Sequence, residues 1–156
     1  MGYEMNTWKN DIDSALADFV TVAKVAGDPV NIEDLRVEYL PAPHKSPSNL
    51  PTGKMAVYAF SWDGTWLKVG KVGPKSQARY VSQHYNAGSA QSTLAGSLIV
   101  DPKMSTIVGF DQHNPGAWIK ASTCRVNILL PSSRNKELLS LLEAFLHVRL
   151  KPRYEG

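Results

Sequence analysis

Hydrophobic residues near the start of the chain recur every three or four positions, the spacing of one face of a helix. This spacing predicts an amphipathic helix over residues 7–26, which Gly27-Asp28-Pro29 would end. Because an apolar face of this length is costly to leave in water, we expect it to pack on the rest of the chain or to form a homodimer with a second copy. The repeating residues are Trp8, Ile12, Leu16, Phe19 and Ala23.

A proline-rich segment follows this helix. A short extended piece over residues 35–40 leads into PAPHKSPSNLPTG, residues 41–53, whose four prolines and scattered Ser, Asn and Gly are typical of a linker or surface loop. The compact domain is therefore predicted to begin at Lys54. Residues 1–53 would form an acidic helical extension with a linker, and residues 54–156 would form the domain.

Two short runs, MAVYAF (55–60) and TWLKVG (65–70), are typical of strands in a hairpin. A two-residue turn would pair Tyr58 with Val69, whereas a three-residue loop over 62–64 would pair it with Lys68. We expect the second register, because it separates an apolar face of the hairpin from a face that carries Tyr58 and Lys68. Its apolar face would hold Val57, Ala59, Leu67 and Val69. Its other face would hold Tyr58, Phe60, Trp66 and Lys68.

The rest of the chain predicts helices and one further strand. Pro74 and Ser76 would open a helix that ends near residues 86–88. The later elements are a short helix over 93–99, a loop over 111–116, a strand over 125–130 and a final helix over 135–150. The predicted class is α/β, an α+β sandwich with a small three-stranded, mainly antiparallel sheet flanked by helices, and with an N-terminal helical extension.

Charge is distributed unevenly along the chain. Residues 1–38 hold eight acidic and three basic residues, a net charge of −5, whereas residues 39–156 carry +8. No Asp or Glu occurs from Gly64 through Val100. That stretch instead carries cations spaced by three or four positions: Lys68, Lys71, Lys75 and Arg79. The asymmetry favours a polyanionic partner, nucleic acid first, and the alternative is a solvated basic surface.

Several classes are excluded by composition. No apolar run approaches the ~18 residues of a membrane span. Asp11, Asp13 and Asp18 stand where a signal peptide would be apolar, so a cytoplasmic protein without a membrane partner is expected. The one cysteine, Cys124, excludes an intramolecular disulfide and a cysteine-based zinc cage.

Four elements of the predicted domain stand in an ordered series. AVY (56–58) and KVG (68–70) lie on consecutive strands, Arg79 follows Gly70 by nine residues, and Glu143 precedes a Lys-Pro by eight. This order resembles the GIY-YIG nuclease superfamily over roughly residues 55–156. Ala56, Lys68 and Glu155 differ from the family's pattern.

The resemblance implies a metal-dependent endonuclease that hydrolyses phosphodiester bonds of DNA, with RNA as an alternative substrate. Such chemistry needs a base for the attacking water and cations for the phosphoryl oxygens. Tyr58 would be the base, with Lys68 favouring its phenolate, and Arg79 and His84 would hold phosphate. Glu143 would bind Mg²⁺ or Mn²⁺.

His84 would share the site only if the helix ends or bends near Gln83, because the spacing from Arg79 is about 140° on an ideal helix. The residues expected to contact nucleic acid further out are Lys71, Lys75, Gln83 and Asn86.

Two other functions stay open at this point. One is a nucleic-acid-binding module on the same fold that has lost cleavage, and the other is an interaction protein that acts through the N-terminal helix.

Overall fold

A four-stranded antiparallel sheet forms the centre of the computed structural model, which describes residues 7–88 and 93–154. The strands are β1 (Arg36–Leu40), β2 (Lys54–Trp62), β3 (Thr65–Val72) and β4 (Cys124–Pro131). They lie in the order β1-β4-β2-β3. The mixed class of helices and strands is confirmed. The expected count of three strands is wrong, because residues 36–40 pair with β4 along their whole length.

Five α-helices occur in the described residues, with 3₁₀ turns at Ile32–Asp34, Gln83–Tyr85 and Pro102–Thr106. The helices are α1 (Thr7–Val25), α2 (Gln77–Val81), α3 (Leu94–Val100), α4 (Pro115–Ser122) and α5 (Lys136–Leu150). Across these parts of the chain, no helix combines the length and the apolar character that crossing a membrane requires.

Helix α4 begins inside the segment predicted as a loop over residues 111–116. Asn114 is its N-cap, and its side-chain oxygen accepts a hydrogen bond from the backbone N–H of Ala117 at 3.3 Å. Pro115 occupies the first helical turn, where its missing N–H has no helical partner to lose. The Asn-Pro-Gly sequence therefore starts a helix here, and the loop prediction is wrong beyond residue 114.

The sheet is covered on both faces. Helices α1 and α5 pack on one face, and α2, α3 and α4 lie on the other. The apolar stripe of α1 is buried in the first of these cores, with Ile12 and Phe19 fully inaccessible. Burial of each such side chain is worth about 1.5–3 kcal/mol. The expectation that the helix packs on its own chain is confirmed, and the homodimer stays a prediction. Both sheet and core include residues from each side of Lys54.

The β2–β3 hairpin has neither expected register. Asp63 and Gly64, at φ 49° and 74°, form a two-residue turn, and an irregularity then leaves Leu67 without a partner on β2. Tyr58 consequently lies opposite Gly70, and Phe60 lies opposite Lys68. A β-bulge adds a residue to one strand without disturbing the hydrophobic character of either, so alternation alone does not reveal it.

The bulge also changes which face Trp66 occupies. It was expected beside Tyr58, but it lies in the core under α1 and donates its indole N–H to Asp11 Oδ2 at 3.3 Å. Leu67 joins the core on the opposite face. The side of the sheet that holds Tyr58 thereby carries one aromatic ring fewer and keeps Lys68.

The C-terminal segment covers part of the β3 edge. The backbone N–H groups of Arg153 and Tyr154 donate to the carbonyls of Trp66 and Leu67, both at 2.9 Å. Asp101 holds the same segment through the guanidinium of Arg153 and the hydroxyl of Tyr154, each at 2.6 Å. Glu155, which departs from the family pattern, lies outside the described residues.

Candidate active site

Tyr58 lies at the middle of β2 and is fully buried. Its ring packs directly over Gly70 of β3. A Cβ atom added at Gly70 would lie 2.5 Å from the Tyr58 hydroxyl oxygen and 2.7 Å from Cζ, closer than non-bonded atoms approach. The AVY and KVG motifs therefore depend on each other sterically, because the glycine of the second leaves the space that the tyrosine of the first occupies.

His84 is the hydrogen-bond partner of the Tyr58 hydroxyl. Its Nε2 lies 2.5 Å from that oxygen, and its Nδ1 accepts the backbone N–H of Leu94 at 3.1 Å. Because an N–H group can only donate, Nδ1 carries no proton, and the neutral ring has its proton on Nε2. His84 therefore donates to Tyr58.

His84 stays neutral at physiological pH. Burial lowers its pKa to about 2, and the positive charges of Arg79, Arg125 and Lys68 act in the same direction. The ring is fully buried, and both of its nitrogens are engaged within the protein. The structure thus brings His84 to Tyr58, as the sequence predicted for the site, but its nitrogens face the protein and not an outer phosphate position.

Arg79 and His84 share the site because the helix breaks between them. Helix α2 ends at Val81, and the 3₁₀ turn that carries His84 starts at Gln83. The break lies where the sequence required it. A short helix followed by a tighter turn lets both side chains reach Tyr58 from the same connection.

The guanidinium of Arg79 forms a hydrogen bond with the Tyr58 side chain. Burial raises the pKa of Tyr58, while the charges of Arg79 and Arg125 oppose that rise and the charge of Glu143 adds to it. A guanidinium can only donate, so the Tyr58 oxygen accepts from Arg79 as it does from His84. Two donors directed at one oxygen favour its ionised form.

Lys68 is buried to 1% exposure, and within the described residues its Nζ is the one buried side-chain polar atom without a hydrogen-bond partner. Burial lowers its pKa, Arg79 lowers it further, and Glu143 raises it. A buried amine without an acceptor loses the full free energy of its hydration. The Lys68 amine thus has hydrogen-bonding capacity that the described protein groups leave unused.

Lys68 is not directly opposite Tyr58. It faces Phe60, so it is a diagonal neighbour of Tyr58 on the same side of the hairpin. The cations that oppose the rise in the pKa of Tyr58 are Arg79 and Arg125. The predicted role of Lys68 as the activator of Tyr58 stays a prediction.

Glu143 projects from α5 and forms an ion pair with Lys71, with Oε1 and Nζ 3.0 Å apart. Its charge acts on both Tyr58 and Lys68, so its carboxylate borders the same site. Both members of the pair are partly exposed, at 22% for Glu143 and 41% for Lys71. Surface pairs of this kind contribute about 0–1 kcal/mol, and the carboxylate can exchange its partner.

The protein side chains at this site offer few ligands for Mg²⁺ or Mn²⁺. Across residues 7–88 and 93–154, no three His, Cys, Asp or Glu side chains converge in a metal-binding group. Mg²⁺ is nevertheless commonly held by one or two carboxylates with water and substrate phosphate as the remaining ligands. Glu143 alone fits a metal that binds together with substrate.

The outer residues expected to contact nucleic acid lie just before and just after α2 in the sequence. Lys71 and Lys75 are exposed before α2, and Asn86 is exposed after the 3₁₀ turn, where its side chain donates to the carbonyl of Ser82 at 2.9 Å. Gln83 is half-buried. Their contacts with nucleic acid stay predictions.

Arg125 on β4 is a site residue that the sequence analysis missed. It is fully buried, and its Cζ lies 5.2 Å from the centroid of the Tyr58 ring. A signal was present: Arg125 and Asn127 are polar residues at alternating positions of an otherwise apolar strand, which places both side chains on one face. Buried polar positions of that kind usually have specific partners.

Comparison of the chain with protein-family models, curated proteins and solved structures gives no match.

Proposed function

We propose that this chain is a metal-dependent endonuclease that hydrolyses phosphodiester bonds of DNA, the function that its resemblance to GIY-YIG nucleases implies. The observation that carries the proposal is the Lys68 amine, buried without an acceptor beside Arg79 and Tyr58. A phosphate oxygen would supply that acceptor. The Tyr58 hydroxyl lies nearby; burial raises its pKa, and the charges of Arg79 and Arg125 act against that rise.

Phosphate would be held by two cations of different character. Arg79 offers a planar fork that matches two phosphoryl oxygens, and Lys68 offers a compact ammonium from the opposite element. Arg79 lies on α2 and Lys68 on β3, and both would bind the same phosphate. This arrangement stabilises negative charge that develops on the phosphoryl oxygens during hydrolysis.

Tyr58 would accept the proton of the attacking water. A tyrosine with its ordinary pKa near ~10 is a poor base at neutral pH, so its environment has to favour the phenolate. The N–H groups of His84 and Arg79 donate to its oxygen, and they would stabilise the charge that forms there. His84 serves as a fixed donor, since its own proton stays on Nε2.

Glu143 would hold Mg²⁺ or Mn²⁺ against the substrate phosphate, and the ion would supply Lewis-acid stabilisation of the phosphoryl and leaving oxygens. Lys71 has to release Glu143 for this to happen. Once released, the Lys71 ammonium is available to a neighbouring phosphate. Metal binding and nucleic-acid binding at this face would therefore favour each other.

The second candidate is a nucleic-acid-binding module without cleavage. The ion pair of Lys71 with Glu143 favours it, because a neutralised Glu143 leaves a face dominated by cations. Such a face binds phosphates without any metal. The alternative of an interaction protein acting through α1 has less support, since the apolar stripe of that helix is buried in its own domain.

The test is cleavage of supercoiled plasmid DNA, and of short RNA, with Mg²⁺ or Mn²⁺ and with chelator. We expect nicked DNA only with the metal, and no nicks from Tyr58→Phe. Tyr39→Phe is the matched control, because that tyrosine bonds to Asp13 on the other face of the sheet. Binding of DNA without cleavage under every condition would favour the second candidate. Equal cleavage by Tyr58→Phe would exclude Tyr58 as the base.

A further inference from the structure

Arg125 carries a buried positive charge that the proposed chemistry does not yet use. Its Nε donates to Asn127 Oδ1 and its Nη2 to the carbonyl of Tyr80, both at 2.8 Å, and its Nη1 to the Tyr85 hydroxyl at 3.2 Å. All three acceptors are neutral. Among the described residues, no carboxylate forms an ion pair with Arg125. The Glu38 carboxylate is reached only indirectly, through Asn127 at 3.4 Å and the Tyr80 hydroxyl at 3.0 Å. Burial of a charge without a directly bonded counter-ion is costly, so this position calls for a reason.

The surroundings of this guanidinium are aromatic. Its Cζ lies between 5.1 and 5.9 Å from four ring centroids, close enough for cation–π attraction. Those rings belong to Tyr58, Phe60, Tyr80 and Tyr85. Strand β4 sets this position, because Arg125 pairs with Phe60, and its neighbour Asn127 pairs with Tyr58.

The Tyr85 hydroxyl fixes the guanidinium from the far side. It accepts from Arg125, and it lies 2.8 Å from His44 Nε2, while His44 Nδ1 lies 2.8 Å from the carbonyl of Thr123. A carbonyl can only accept, so His44 Nδ1 carries the proton and Nε2 accepts from Tyr85. Arg125 is thus held by a chain of hydrogen bonds with defined direction, and it cannot turn toward solvent.

We propose that Arg125 is a positioning residue for Tyr58, a permanent buried charge that supports the ionised form of the proposed base during hydrolysis. The inference rests on the proposed function for its role in catalysis. The contact between Arg125 and Tyr58 does not depend on the proposed function. Arg125 acts through the ring and through the low-dielectric interior, without touching substrate.

Other charged or titratable groups lie around Tyr58 on neighbouring elements, but they differ from Arg125 in a decisive way. Lys68 and Arg79 would be neutralised by the phosphate that they bind, Glu143 opposes ionisation, and His84 is neutral. A guanidinium buried between the sheet and the segment that carries Tyr80 and Tyr85 keeps its charge when substrate arrives. The groups are Lys68 on β3, Arg79 on α2, His84 in the 3₁₀ turn, Arg125 on β4 and Glu143 on α5.

The test follows ionisation of Tyr58 in the free protein. Tyrosine labelled with ¹³C at Cζ gives a signal that moves on ionisation, and loss of one signal in Tyr58→Phe identifies the residue. Arg125→Gln removes the charge but keeps hydrogen-bonding groups, whereas Arg125→Lys keeps the charge and loses the fork. Arg134→Gln is the matched control, since Arg134 pairs with Asp28 away from the site.

We expect the Tyr58 midpoint to move to higher pH in Arg125→Gln and to stay close to the parent in Arg125→Lys and Arg134→Gln. If Arg125→Gln does not fold, Arg125→Met replaces it as the neutral variant. An unchanged midpoint in the neutral variant, or an equal rise in Arg125→Lys, would overturn the inference. The rising limb of the cleavage rate should move with the midpoint.

Failure of the proposed function would look different. If the parent protein never cuts but its Tyr58 titration midpoint rises in Arg125→Gln, the proposed nuclease function fails and the coupling between Arg125 and Tyr58 stands. If the parent protein cuts but the Tyr58 titration midpoint is the same in Arg125→Gln, only the coupling between the two residues fails.

Discussion

At the scale of single residues, the site depends on a contact that a glycine permits. Tyr58 occupies the volume where any side chain at Gly70 would project. Its hydroxyl then meets His84 and Arg79, which both donate to it. Packing of Tyr58 against Gly70 therefore positions the hydroxyl group for its hydrogen bonds with His84 and Arg79.

Gly70→Ala should destabilise the fold and displace Tyr58. Forcing a methyl group into a packed core typically costs about 1–3 kcal/mol, and here it meets the ring of Tyr58. Urea unfolding measures the loss. Gly73→Ala is the matched control on the same segment, because a Cβ at Gly73 meets no atom within 4 Å. Equal stability of the two variants would contradict the packing described for Tyr58.

The protein should lose stability as the pH falls from about 6.5 to 5. The pKa of His84 lies near 2 when folded and returns to its ordinary value near ~6.5 when unfolded, so the unfolded state binds the extra proton first. The loss is at most about 1.4 kcal/mol per pH unit for this residue. His44, whose pKa burial also lowers, adds to it. Urea midpoints across this pH range measure the effect.

His84→Gln should flatten that acid dependence, since glutamine does not titrate. His113→Gln, in an exposed loop, is the matched control and should follow the parent. If His84→Gln loses stability with falling pH as steeply as the parent, the buried neutral histidine is not its source.

At the scale of elements, hydrophobic spacing predicted α1, the hairpin strands and α5 close to their observed bounds. It predicted residues 35–40 as extended but not that they join the sheet as β1, because five residues ahead of a proline-rich segment carry no sign of the strand they will pair with. It missed the bulge at Leu67, since an extra residue changes pairing and not composition. It placed Lys68 opposite Tyr58 because a three-residue loop was expected, whereas the turn has two residues and the bulge adds one. Arg125 went unnoticed because its partners come from β2, α2 and the 3₁₀ turn, far apart in sequence.

The ion pair between Lys71 of β3 and Glu143 of α5 leads to a prediction at this scale. Lys71→Met should lower the Mg²⁺ concentration for half-maximal cleavage by up to about fivefold, because a surface ion pair of up to about 1 kcal/mol no longer competes for Glu143. Mn²⁺ binding followed by electron paramagnetic resonance gives a readout independent of cleavage. Lys75→Met, which breaks no ion pair of Glu143, should leave the Mn²⁺ affinity of the free protein unchanged. A higher metal requirement in Lys71→Met would mean that Lys71 assists metal binding.

At the scale of the whole molecule, the acidic N-terminal part and the basic part fold around one sheet. Helix α1 fills one core and β1 covers one edge of β4. Asp18 also pairs with Arg149 of α5 at 2.7 Å. The charge asymmetry of the sequence therefore lies within one packed structure.

A chain that starts at Lys54 should lose cooperative folding. It would expose the core face under α1 and the free edge of β4, and exposed strand edges favour association. Thermal melts by circular dichroism and size-exclusion chromatography measure the outcome. A monomeric, cooperatively folded fragment would show that residues 1–53 are a dispensable extension.

The most direct test of the proposed nuclease site is a comparison of two glutamates on α5. Glu143→Ala should bind plasmid DNA as well as the parent, because Arg79 and the lysines remain, and should leave supercoiled DNA intact at every Mg²⁺ concentration. Glu137→Ala, in the first turn of the same helix, should bind and nick like the parent. Parent-like nicking by Glu143→Ala would contradict the site.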